Sequence, residues 1–156
     1  MFMVDKDYQI RQRTSQYYAA RLLTQEWAQP VNADHRLFRA ASDLQDTEGH
    51  TLVTAYPLQR PDGQWSVLLI NKDHDHPRKV RIEFNDAEKK QQYWFSGDVM
   101  MITFGEEQYR WHPGRKAGYA DPDNPPATSS ISASPRTEYR LPPASVTVLR
   151  GRLSSK

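Results

Sequence analysis

Residues 52–70 read LVTAYPLQRPDGQWSVLLI, and the reading of this stretch decides the fold. Leu52, Thr54, Tyr56 and Leu58 alternate with Val53, Ala55 and Pro57, so an extended segment would carry apolar groups on both faces. Pro61-Asp62-Gly63 then makes a turn for a physical reason: proline presets one backbone angle and glycine accepts the positive one. Trp65 to Ile70 returns as a strongly apolar strand, so residues 52–70 form a hairpin and the chain is antiparallel β at its centre.

Working outward, Val80, Ile82 and Phe84 alternate with Arg81 and Glu83, the pattern of a half-buried strand. Leu37 to Ala41 reads as another strand, and Asp43 to Gly49 as a polar loop. A second hairpin is predicted around Ser96-Gly97-Asp98, between residues 92–95 and 99–104. Residues 138–141 and 145–150 close the chain as two strands bent at Leu141-Pro142-Pro143. Residues 105–135 are rich in proline, glycine, serine and alanine, and are expected to be one long loop. At the other end, Tyr8 to Ala28 lacks proline and glycine. There Ile10, Tyr17, Ala20, Leu23 and Trp27 recur near the helical period, which predicts one amphipathic helix of about five turns ended by Gln29-Pro30. The expected fold is mainly β: an antiparallel β-sandwich of about eight strands preceded by one N-terminal α-helix, with a barrel as the alternative architecture. The division that follows is residues 1–30 for the helix and 31–156 for the β-domain.

Composition narrows the function classes. A chain of 156 residues, 37% hydrophobic and 26% charged, can bury a real core. Its net charge of +2 is spread without a basic stripe, so no nucleic acid is expected as a partner. No cysteine is present, which removes thiol nucleophiles, thiolate metal sites and disulfides. The opening MFMVDKDYQIRQR has no basic segment followed by an apolar one, and no run approaches a membrane span. A soluble chain without a signal peptide and without a membrane partner is therefore expected, in an unassigned compartment.

Several segments, in their order, resemble the C-terminal region of bacterial glycoside hydrolases of family 39 and related clans. They are YYAARLLTQEWAQP (17–30), VTAYPLQRPDGQWSVLLINKD (53–73), QYRWHPG (108–114) and YRLPPASVTVLRG (139–151). In such enzymes a catalytic (β/α)8 barrel is followed by a β-sandwich whose last strand has the form LPP.S.TVL. The resemblance implies a non-catalytic accessory domain that supports or orients the catalytic barrel of a secreted or periplasmic parent enzyme, with the helix derived from the barrel or from a linker. The chain has no room for a barrel of roughly 250 residues. None of its carboxylates therefore matches the family's acid or nucleophile. The helix would dock back on the sandwich or make a homodimer contact.

No cofactor is implied by the candidate constellations, and the basic groups Arg11, Arg13, Arg21 and Arg78, Lys79, Arg81, offset by Asp5, Asp7 and Glu83, read as solvated faces. His74 and His76 alternate with Asp73 and Asp75 and could converge on a metal from one face of a strand, with a carboxylate or His50 as third ligand. The same Asp, His and Pro residues are what a turn between two strands uses. The metal reading would make the chain a small metal-dependent enzyme. Trp94, Tyr109, Trp111 and Tyr119 could offer aromatic faces to sugar rings, as in an autonomous carbohydrate-binding module for a polysaccharide, or could serve as core and loop anchors. Glu106, Glu107, Asp121, Asp123 and Glu138 are the carboxylates available for acid/base work, which for a glycosidic bond requires two at a defined separation.

Overall fold

The computed structural model describes residues 1–155. The hairpin at its centre belongs to a curled, half-barrel antiparallel sheet. In chain order the strands are β1 (Phe2–Val4), β2 (Ile10–Arg13), β3 (Arg36–Leu37), β4 (Val53–Gln59), β5 (Trp65–Asn71), β6 (Arg78–Val80) and β7 (Phe84–Asp86). They continue with β8 (Gln91–Phe104), β9 (Tyr109–His112), β10 (Tyr119–Asp123), β11 (Ala127–Ala133), β12 (Tyr139–Leu141) and β13 (Ser145–Ser155). The main sheet runs β11-β8-β13-β5-β4-β3, and β7 pairs with the far end of β8. β13 lies in the middle, with Val148 opposite Leu68 on β5 and Ile102 on β8.

Alternation along these strands makes two cores. On one face Val53, Val67, Leu69, Phe95, Val99 and Leu149 are buried beneath Val80, Tyr139 and Leu141. Those last three belong to the separate β6–β12 ladder, so the sheet has a small second layer. Rings meet edge to face from Trp65 through Phe84 to Phe95 and on to Tyr139, and burial pushes the Tyr139 phenol up to about 12. On the other face Leu68, Ile102 and Val148 are covered by Leu22 from the N-terminal helix.

That helix is shorter than its apolar period predicts. Residues 1–13 instead form the β1–β2 hairpin, whose turn is organised by Asp5: its carboxylate accepts from the amides of Asp7 (2.8 Å) and Gln9 (3.0 Å) and from Arg11 Nε (2.5 Å). Helix α1 (Ser15–Arg21) follows, and Leu22–Trp27 continues it as a π-helical turn in which the Ala28 amide donates to the Leu23 carbonyl. The wider turn inserts one extra residue. Tyr18, Leu22 and Trp27 consequently line up, at spacings of four and then five, while Leu23 faces solvent.

Polar bonds lock this segment to the hairpin. Arg60, only 7% exposed, donates from Nη1 to the carbonyls of Glu26 (2.8 Å) and Ala28 (3.1 Å) and pairs with Asp62 at 3.2 Å. Trp27 Nε1 donates to the Tyr56 carbonyl (2.8 Å), and Ser66 Oγ to that of Trp27 (2.5 Å). The carbonyls that end a helix without an internal partner are thus satisfied from the sheet. Burial opposes ionisation of Asp62, but the Gln64 amide and the Arg60 guanidinium outweigh it and hold the carboxyl below its usual range.

Further expectations differ from the structure: the strand expected at 37–41 is reduced to β3, Arg36–Leu37, and the one expected across 80–84 is broken at 81–83 between β6 and β7. Residues 92–104 are one continuous strand, with Gly97 (φ +70°) taken up where the pairing with β13 shifts between Arg150 and Arg152. Residues 105–135 hold three strands, β9 to β11. Their serine- and threonine-rich edge stays exposed and therefore carries little apolar signal. Among the described residues, no helix is long and apolar enough to cross a membrane.

Candidate functional site

The β9–β10 hairpin is the most built-up surface feature. Its entry is a turn in which Gly105 accepts from the amides of Gln108 and Tyr109, both at 3.0 Å, while its own amide donates to Gln108 Oε1 at 3.0 Å. Tyr109 points inward, with its ring 5.9 Å from that of Phe104 and 6.2 Å from that of Tyr18. Burial raises the phenols of both tyrosines. Asp123, which accepts from Tyr18 Oη at 3.4 Å, raises that of Tyr18 further. Tyr109 therefore anchors the hairpin to the helix and the sheet.

Pairing separates the other aromatics. Tyr119 is opposite His112 and Ala120 is opposite Trp111, so Tyr119 and Trp111 occupy different faces of the ribbon. Tyr119 is 56% exposed and stacks on His112, with ring centroids 5.0 Å apart. Trp111, 46% exposed, lies over Gly118, where a Cβ would come within 2.2 Å of its Cζ2. Only glycine permits that close approach. Trp94 is elsewhere, half-buried opposite Ser154. Ten residues of β8 separate it from the hairpin end, on the order of 30 Å at the strand rise. The four aromatics thus form no common platform: one is an anchor, two face opposite ways, and one is remote.

Beside the Tyr119 face is an open depression of about 360 Å³ lined by Glu106, Arg110, His112, Asp121, Pro142 and Pro143. Arg110 pairs with Glu106 at 2.9 Å, and His112 Nε2 donates to the Asp121 carbonyl at 3.3 Å. Glu106 is 62% exposed. A carboxylate in water with an arginine on it has a different setting from the dehydrated pocket of a glycosidase acid. The depression offers polar groups for binding hydroxyls and no enclosed reaction chamber.

His74 and His76 lie on an exposed turn built around Asp73. The Asp73 carboxylate accepts from the amides of Asp75 (2.9 Å) and His76 (3.0 Å) and from Arg78 Nε (2.9 Å), with Arg78 Nη2 closer still. The Asp75 amide and the arginine hold this carboxyl well below the usual carboxylate range. Buried Asn71 ties the turn to the end of β12 by donating to the carbonyls of Pro142 (2.7 Å) and His76 (3.2 Å). His50 sits on a different turn, with Asp46 at 3.0 Å. Among the described residues, no three His, Asp or Glu side chains stand together so as to hold a metal ion.

Arg60 and Asn71 were not singled out from the sequence, yet they organise the two ends of the central hairpin. The one available signal was position: each is a polar residue beside a turn, at the end of an apolar strand.

No protein-family model matches the chain, and no curated protein matches it. Among solved structures, it is similar to the thermostable GH51 alpha-L-arabinofuranosidase of Thermotoga petrophila RKU-1, at 16% identity and a TM-score of 0.42 over 65% of this chain and 19% of that one. The alpha-L-arabinofuranosidase of Thermotoga maritima, in its arabinose complex, aligns at 16% identity and 0.41, over 70% of this chain and 20% of the other. A protein of unknown function from Acinetobacter sp. ADP1 aligns at 10% identity and 0.26, over 78% and 89%. The chain spans about a fifth of the length of the two arabinofuranosidases. At these TM-scores the likeness is loose.

Proposed function

We propose that this chain is a non-catalytic accessory β-domain of a glycoside hydrolase, which packs against a catalytic barrel and orients it. The observation that carries the reading is the apolar surface of the β1–β2 hairpin. Val4 and its cross-strand partner Ile10 are 56% and 55% exposed, and Phe2, packed on Tyr17, and Tyr8 are exposed two residues away along the chain. A cluster of large apolar side chains in water is what a partner surface covers. The resemblance of residues 17–30 and 139–151 to the post-barrel region of such enzymes supplies the partner's identity. A second reading, carbohydrate binding, is favoured by the exposed Tyr119 ring on His112 beside a polar depression.

The test has three arms. The isolated chain should release nothing from a chromogenic glycoside panel and should migrate unretarded in gels containing plant polysaccharides. Added to the barrel of a family-39-like glycosidase, it should raise the barrel's melting temperature, and Val4→Ser with Ile10→Ser should remove that effect. Retardation that disappears in a folded Tyr119→Ala or Trp111→Ala variant would transfer the function to sugar binding. Glycoside hydrolysis would end the accessory reading.

A further inference from the structure

The two edges of the main sheet are treated differently. At one edge β3 has two residues, one of them Arg36, and pairs only with Leu58 and Gln59 of β4, a strand that also contains Pro57. Shortness, charge and proline are the devices that stop an edge from recruiting another strand. At the opposite edge β7, which pairs with β8 at residues 91–93, is also short and carries Asp86, but β11 has none of these devices. β11, ATSSISA, pairs with β8 without interruption from Ala127↔Thr103 to Ala133↔Gly97. It carries no charge and no proline, and five of its seven residues are exposed. Among the described residues, its outer backbone edge receives no hydrogen bond from loop or side chain.

We infer that β11 is a self-association edge, and that its occupant is β11 of a second copy of this chain, paired antiparallel about a two-fold axis at Ser130. The sequence of the strand is self-complementary in that register. Ala127 would meet Ala133, Thr128 would meet Ser132, and Ser129 would meet Ile131, so small residues and Ser/Thr pairs face each other with no like charges opposed. Ile131 and Ala133 already pack at the rim of the core, so the apolar face would run on across the axis. The symmetric arrangement is a closed isologous pair rather than an open filament. A seven-residue edge lies at the small end of specific interfaces, which makes this a concentration-dependent equilibrium and not a permanent dimer. The edge lies on different strands from the apolar β1–β2 hairpin.

Sedimentation or light scattering across about 10 µM to 1 mM should show the mass rising from one chain of 18.1 kDa toward two. Hydrogen exchange at the two ends of that range should add protection at residues 127–133. Ser130→Lys places two ammonium groups opposite each other at the axis, and should return the mass to that of one chain while the melting temperature stays within a few degrees. A single-chain mass throughout with no added protection at 127–133 would overturn the inference. So would a dimer that survives Ser130→Lys. If the lysine variant fails to fold, the exchange comparison on the unaltered chain still decides the matter.

Discussion

Replacing Arg60 with alanine should detach the helix before it unfolds the sheet. The guanidinium satisfies two carbonyls at the end of the π-helical turn and pairs with Asp62. A hydrogen bond from a charged donor is worth roughly 1.5–3 kcal/mol when the acceptor is left unpaired in a buried place. Glu26 and Ala28 are only half-buried residues, so water recovers part of that loss, and the partly exposed ion pair adds at most about 1 kcal/mol. The total is about 2–4 kcal/mol, a fall in melting temperature of roughly 5–15 °C for a domain of this size. Urea unfolding followed by circular dichroism measures the loss. Limited proteolysis at 37 °C should show new cleavage between residues 24 and 30 while β4 and β5 stay intact. Arg60→Lys keeps the charge but cannot span both carbonyls and the carboxylate, so it should fall between the two. An Arg60→Ala protein within about 0.5 kcal/mol of the parent, with no new cleavage, would refute the reasoning.

The π-helical register predicts opposite outcomes for adjacent leucines: Leu22→Ala should cost about 2–5 kcal/mol in denaturant unfolding, and Leu23→Ala under about 0.5 kcal/mol. A straight α-helix anchored on Trp27 would bury Leu23, four residues before it, in place of Leu22. Tyr139, with its phenol pushed up to about 12 by burial, binds its proton more tightly folded than unfolded. Stability should therefore decline as pH rises from about 10, the ordinary tyrosine value, toward about 12, and Tyr139→Phe should flatten that decline in pH-dependent melting curves. Asp73 has the opposite sign: its folded carboxyl is depressed, so its contribution is present above about pH 4 and is lost as pH falls through the folded value. Asp73→Asn should leave a protein that is less stable at neutral pH and whose stability falls less on acidification below pH 4.

The β4–β5 hairpin, the turn at 73–77 and the closing strands are legible because each combines alternation with a proline, glycine or aspartate of known turn chemistry, whereas the strand read across 80–84 is broken at 81–83, between β6 and β7. The helix is shorter than its sequence pattern implies for an identifiable reason. Ile10 and Tyr17 fit a helical period, but Asp5 organises a turn that returns the first residues as a hairpin, and the π-helical step exchanges Leu23 for Leu22 on the buried face. β11 reads as loop in sequence because an exposed edge of serine and threonine has no buried face to enforce alternation. Of the aromatic candidates, the residue types were visible but their facing was not. The one-residue offset that puts Trp111 and Tyr119 on opposite sides of a ribbon depends on where the hairpin turns, and that information is spread through residues 113–118.

Among the described residues, β13 is the sole bridge between two groups of strands. β3, β4 and β5 form one ribbon and β7, β8 and β11 another, and every main-sheet ladder that joins them runs through residues 145–155. Either ribbon alone would leave half of each core open to water. Assembly is therefore a three-body event, gated by contacts between residues near 70, near 100 and near 148. Pairings so distant along the chain close slowly, and until they close the β11 edge and the unfinished edges of β5 and β8 compete for the same missing strand.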